Sequence, residues 1–381
     1  MNIALKDMRF SMLRFALTAV GIGLLLGATM GMIGLYRGIV HEALLIINDI
    51  GADLWVVEGG RSGPFAETSA VPSSLDRRVE GVPGVAATRR FIQYNQQYDI
   101  NGKSVRLAVT GIDYPKDSGS WIPLIDGRLF RSTRYEAIAD QTTGLLVGDV
   151  IRLGHDDYTV VGLTKGQVDM GGDGMFFVTI PDSQAINRVL PSEAILLNRV
   201  AKGRSRMGLG DGGALAAVMV ELKPNADPLL VKAQIKNWGD VEVLTKEEER
   251  SMLLDGRLWR LRVQILAFTA MTLLVAGSII ALTIYMLTLE KINQIALLKL
   301  IGARDRVIIG LIVQQAMWIA VLGFSVALAI SFTLYPNFPR TVLLLPDDLA
   351  AIGGSLLLIS LGASWFAIRR AMRVRAQEVL A

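Results

Sequence analysis

With 381 residues, 51% of them apolar and only 19% charged, and a positive mean hydropathy, the chain has the composition of a membrane protein and not of an ordinary soluble one. Its formal charge of +4 is spread without any basic cluster interleaved with aromatics, which argues against nucleic acid as a partner. Cysteine is absent and histidine occurs only at His41 and His155, which rules out disulfides and cysteine metal sites and argues against a metalloenzyme.

The first long uncharged run, residues 15–36, exceeds the roughly 20 residues a helix needs to cross ~30 Å of hydrocarbon. It is also longer than the ~7–15 residues of a signal-peptide core, and no A-x-A site follows, so it reads as an uncleaved anchor. Gly23, Gly27 and Gly31 share one helical face. This doubled G-x-x-x-G lets another helix approach closely, either a span of the same chain or a second copy. Met30 and Met32, with His41 and Glu42 just beyond the run, are candidate residues of a substrate entrance; the plainer reading is that they pack. Helical spacing continues through Ile39, Leu44, Leu45, Ile47 and Ile50, which predicts that the span extends outward as a stalk.

Residues 37–262 form a long extracytoplasmic segment, enough for one or two compact domains. Within it, 53–57 reads as a strand, 73–82 as a short helix and 86–100 as a strand or strand pair; the same order returns as strand 216–222, helix 228–237 and strand 241–244. The fold class is therefore α+β: a split ferredoxin-like βαβ pair with an insertion at about 101–200. The insertion is β-rich, with Asn101-Gly102 as a hairpin turn and 147–163 as two strands joined at 154–157. Residues 201–213 read as a polar, Gly-rich loop. Helical pattern resumes at Lys246 and runs through Trp259 directly into the next span as a second stalk.

Gly102-Lys103-Ser104 is similar to the end of a phosphate-binding loop, but the glycine required five residues earlier is Gln97 and the segment is a hairpin. Any ATP chemistry then belongs to another chain. Lys116-Asp117-Ser118-Gly119-Ser120 is similar to a serine-hydrolase loop without a positioned base, so no catalytic residue, bound cofactor or metal is expected.

Three more spans follow at 263–289, 307–334 and 349–368, with 335–348 as a short external loop and 369–381 as a basic tail. Four spans place both termini on one side. The tails 1–14 and 369–381 and the loop 290–306 carry eleven Lys and Arg against four acids, so the positive-inside rule makes this side cytoplasmic. Arg257, Arg260 and Arg262 point the other way, with less weight beside a long translocated domain.

The loop reads EKINQIALLKLIGARDR. Its apolar residues occupy nearly every side of a short helix, which therefore needs burial, yet the helix is too short to span. It is expected to lie at the cytoplasmic surface, partly against its own spans and partly in a groove of another protein, with Gly302 ending it; the alternative is a helix resting on lipid.

LLKLIGA at 297–303, IGADLWVV at 50–57 and VGDVIRLGHDDYTVVG at 147–162, set in one span, a large external domain and three further spans, resemble the permease subunits of ABC transporters of the MacB/FtsX type. Relatives of that type include lipoprotein-releasing, glycolipid-exporting and haem-exporting permeases. The resemblance implies a non-catalytic subunit of a bacterial inner (plasma) membrane. Two permease copies would pair with two cytoplasmic ATPase subunits that hold ATP and Mg, with a periplasmic adaptor as a possible further partner. It further implies that the motor is met by Glu290, Lys291, Asn293, Gln294, Leu297, Leu298, Lys299, Gly302, Ala303 and Arg304. Many members have Arg-Glu where this chain has Asn293-Gln294. The implied mechanism is mechanotransmission that exports a hydrophobic or amphipathic substrate: lipid, haem, drug or lipoprotein. The alternative is an FtsX-like signalling protein that activates an external cell-wall hydrolase. An enzyme within the membrane would need titratable groups in the spans, where Gln314 and Gln315 are the prominent polar residues.

Overall fold

A computed structural model of the chain describes residues 12–100, 102–188, 214–301, 304–338 and 340–372. It divides into two compact units, Met1–Gly38 with Arg260–Ala381, and Ile39–Trp259. The helices are α1 (Met12–Asp49), α2 (Leu75–Glu80), α3 (Ile180–Arg188), α4 (Pro228–Lys236), α5 (Lys246–Ser251), α6 (Trp259–Glu290), α7 (Ile292–Leu300), α8 (Asp305–Leu334) and α9 (Pro346–Met372). The strands are β1 (Leu54–Glu58), β2 (Val71–Pro72), β3 (Val85–Ile100), β4 (Lys103–Ile112), β5 (Leu124–Gly127), β6 (Glu136–Asp140), β7 (Val150–Leu153), β8 (Asp156–Thr164), β9 (Gly174–Thr179), β10 (Ala214–Leu215), β11 (Ala217–Leu222) and β12 (Val241–Thr245).

In the Ile39–Trp259 unit the sheet runs β12-β1-β11-β3 and then β4-β9-β6-β8-β5, with β7 paired to β8. The first four strands, taken in chain order, lie fourth, first, third, second, and every neighbouring pair is antiparallel. This is the split ferredoxin-like arrangement, with α2 and α4 as its crossovers. Alternation along β1 assigns its side chains to two cores. Leu54 and Val56 join Leu75 and Val79 of α2 and Val231 and Ile235 of α4. Trp55 and Val57 face the other way, among Ile46 and Ile50 at the end of α1, Phe91 and Leu244. Both faces are covered, which is why LWVV is apolar without interruption. Burying each such large side chain contributes about 1.5–3 kcal/mol.

The insertion is not a separate sheet. Residues 85–91 of β3 pair with β11 and residues 92–100 pair with β4, so one 16-residue strand belongs to both halves. The hairpin at Gly102 (φ +74°) joins two strands and no helix follows it, and β7 and β8 form the second hairpin within 147–163. The loop expected at 201–213 lies outside the described residues.

The second stalk differs from the sequence expectation. Residues 246–259 are not one helix: α5 ends at Ser251, Met252–Arg257 forms a π-helical turn, and Leu258 separates it from α6. A period of 3.6 residues and a wider turn present similar apolar spacing over so short a stretch, so the sequence pattern does not separate them.

In the other unit α1, α6, α8 and α9 are each long and apolar enough to cross a membrane. Their shared core includes Ile22, Leu26 and Met30 of α1, Ile280 and Ile284 of α6, Ile312 and Ile319 of α8, and Leu356 of α9. α8 ends at Leu334 and passes into a short 3₁₀ turn at Tyr335–Asn337, where Pro336 lacks the N–H that would continue the helix.

Candidate functional site

α7 follows α6 with only Lys291 between them. Ile295 packs into the membrane-unit core, and Ala296 beside it is buried. The opposite side is open: Asn293, Gln294 and Leu297 are exposed, as is Ile301, 76% accessible just past the helix end. Asn293, Leu297 and Ile301 stand four residues apart, so they form one stripe. The apolar surface expected on nearly every side thus divides into one face held by the chain's own spans and an outward face that carries Leu297 and Ile301 beside Asn293 and Gln294. Glu290 and Arg304 are exposed at either end of the segment, and Lys291 is half-buried. The helix includes the backbone of Leu298 and Lys299; Gly302 and Ala303 lie outside the described residues.

Gly23, Gly27 and Gly31 all face α8 and the turn after it. A Cβ on Gly23 would lie 2.5 Å from Val326 Cγ1, one on Gly27 would lie 3.5 Å from Ile330 Cγ2, and one on Gly31 would lie 3.0 Å from the Tyr335 hydroxyl oxygen. The chain's own α8 fills this face, so the glycines form a packing seam and not an open seam for a second copy. The seam continues through Gly34, three residues on, and Gly38, four beyond that. A Cβ on Gly38 would overlap the Thr341 carbonyl. Leu343 N–H donates to Gly34 O at 2.9 Å, and the Tyr335 hydroxyl donates to Gly27 O. Arg37 grips Asp348 with two parallel bonds, 3.0 and 2.9 Å, a geometry that a planar guanidinium favours.

The four candidate entrance residues differ in their surroundings. Met30 is fully enclosed and accepts a hydrogen bond from Ser331 Oγ at 3.6 Å, so it packs and does not line an opening. Met32 is partly buried, Glu42 is buried and His41 is exposed.

At the far end of α1, Gly51 (φ +71°) ends the helix in a left-handed residue. Arg89 of β3 then donates to Ile50 O at 2.7 Å, while also meeting Asp117 at 2.8 Å and Glu221 at 2.9 Å. Asp117 in turn accepts from Gly119 N–H at 2.8 Å and from the Trp121 indole. The Lys116–Ser120 loop is thus a support for Arg89 and carries no nucleophile–base pair. A buried cation at a helix C-terminus is favoured by the helix dipole. The sequence holds no local signal for this contact, because Arg89 and Ile50 are joined only by the fold.

Residues 15–238 match the MacB-like periplasmic core domain family, and residues 266–376 match the FtsX-like permease C-terminal family. An uncharacterized ABC transporter permease of Mycobacterium tuberculosis (strain ATCC 25618 / H37Rv) is 25% identical over 374 residues, which cover 97% of this chain and 96% of that protein. A protein of Staphylococcus haemolyticus named as the hemin transport system permease HrtB is 21% identical over 90% of this chain and 88% of its own. The macrolide export ATP-binding/permease protein MacB of Escherichia coli is 22% identical over 87% of this chain but only 52% of its own length.

Proposed function

Since this chain belongs to the family of ABC transporter permeases built from a MacB-like periplasmic core domain and an FtsX-like C-terminal part, we propose that it is the membrane subunit of an exporter powered by a separate cytoplasmic ATPase. ATP and Mg are bound by that partner, two copies of the permease assemble with two ATPase subunits, and both termini of each copy face the cytoplasm of a bacterial inner membrane. Nucleotide-driven closure of the motor shifts α7, the spans carry the shift outward, and the external domain displaces a hydrophobic or amphipathic substrate, with a periplasmic adaptor as a further partner. Such coupling requires two arrangements, each favoured by a different nucleotide state.

The observation that carries this reading is α7 itself: nine residues, anchored on one face by Ile295 and offering Asn293, Leu297 and the following Ile301 on the other. Two exposed apolar residues one turn apart, Leu297 and Ile301, beside polar Asn293 and Gln294 suit a helix-in-groove contact. The test is co-purification of the full chain with its ATPase from detergent. We expect Leu297→Asp and Ile301→Asp to abolish recovery of the ATPase while the permease stays folded, because each places an unpaired charge in a dry groove. Undiminished recovery in both variants overturns the reading. Substrate compounds are then sought as those that raise ATP turnover of the intact pair.

A further inference from the structure

Glu249 lies in the last turn of α5, in the polar run Lys246-Glu247-Glu248-Glu249-Arg250, yet it is completely buried. Its neighbours in sequence are accounted for: Glu248 closes a capping box with Thr245 and pairs with Lys232, and Glu247 and Arg250 are exposed. Neither carboxylate oxygen of Glu249 accepts a well-formed hydrogen bond, the Phe65 backbone amide being only a weak influence on it. Over it lies a strap, residues 59–70. Gly63 (φ +91°) sits directly against the carboxylate, where a Cβ would overlap both oxygens. The strap's Phe65 ring stands edge-on to Trp55 at 5.3 Å and beside Phe91 at 5.6 Å. Arg257, the last residue of the π-helical turn, holds the strap from the other side by donating to Phe65 O at 2.9 Å and Ala66 O at 3.3 Å.

The charged groups on the elements packed around Glu249 are committed elsewhere. Arg61 pairs with Glu58, Lys246 donates to Asn48 O, Asp255 accepts from Ser251 Oγ, and Glu67 accepts from Ser62 N–H. Lys236 is paired with Glu242. Among the described residues no ion pair includes Glu249. An unpaired carboxylate enclosed in this way is costly when charged, and its neutral acid form is not.

We propose that Glu249 is a proton-binding site that controls the joint before α6: protonated, its neutral carboxyl lies closed under the strap, and ionised, it drives the strap off, releasing Arg257 and the π-helical turn. Burial pushes the carboxyl up to about 8, against a smaller downward pull from the Phe65 backbone amide. The closed form therefore holds the proton and the open form, with an ordinary carboxyl near 4.5, does not. Closure is complete below the ordinary value and is lost as pH rises through about 8. Over that window the opening constant increases about tenfold per pH unit and then levels off. External acid tightens the joint.

The test is hydrogen–deuterium exchange of the full chain in detergent or nanodiscs, read at residues 59–70 and 252–258 and corrected for the intrinsic pH dependence of exchange. Between pH 5 and pH 7 the wild-type strap is expected to open about a hundredfold more readily. Glu249→Gln, permanently neutral, is expected to remove the pH dependence, and Gly63→Ala is expected to leave the strap open at both pH values. Glu249→Met serves the same purpose if the glutamine variant fails to fold. Equal wild-type protection at the two pH values overturns the proposal, as does a pH slope that survives in the neutral variants. The readout needs no ATPase and no cargo, so its failure is separable from failure of the exporter assignment.

Discussion

The chain passes between its membrane unit and its external unit twice, and the two passages are built differently. α1 is one helix of 38 residues, gripped by the glycine seam and Arg37 near its middle and capped by Arg89 at its end. The second passage is α5, a π-helical turn, a break at Leu258 and then α6, with a buried unpaired acid at its start. A continuous helix with a capped far end resists bending, whereas a wide turn with a non-standard hydrogen-bond register is a natural place to bend. The first passage is a strut and the second is a joint.

Three substitutions would break or sharpen this contrast. The largest effect is expected from Val40→Pro within α1, which removes a helical hydrogen bond and clashes with the preceding turn; it should cost about 3 kcal/mol or more, seen as a lowered thermal midpoint in detergent. Next is Gly38→Ala. The added methyl meets the backbone carbonyl of Thr341, which no rotamer change can relieve, so a loss of about 1–3 kcal/mol is expected by the same assay. The smallest effect has the opposite sign. Gly256 in the π-helical turn has nothing within 4 Å of an added Cβ, so Gly256→Ala should raise stability by about 0.5–1 kcal/mol through the unfolded chain. If both alanine substitutions destabilise alike, the distinction between strut and joint fails.

Much of this architecture is legible in the sequence, because the relevant signals are periodic. Four uncharged runs, repeated strand–helix–strand order and glycines at four-residue spacing each correspond to one dominant physical force: lipid, sheet burial or close helix approach. Where two forces compete, the pattern stops being informative. The sequence leaves residues 86–100 open between one strand and a strand pair, because nothing in the alternation marks the change of partner at Ile92. The break at Leu258 leaves no trace, since the residues around it suit either helical register. Glu249 carries no sequence signal at all: it is the third of three consecutive glutamates, and only the strap around Gly63, far earlier in the chain, encloses it. The stripe on α7 was visible as apolar surface, but which side is taken by the spans follows only from Ile295 entering their core.

β3 has a further consequence. At about 3.4 Å per residue its sixteen positions reach roughly 50 Å, and the same backbone is hydrogen-bonded into the ferredoxin-like half at one end and the insertion at the other. Pivoted where Arg89 meets the end of α1, the part of β3 out to Ile100 spans about 37 Å, so a tilt of about 5° there would move the distal tip by about 3 Å. Small movements at the root of the external domain are thereby magnified at its extremity without any hinge inside it.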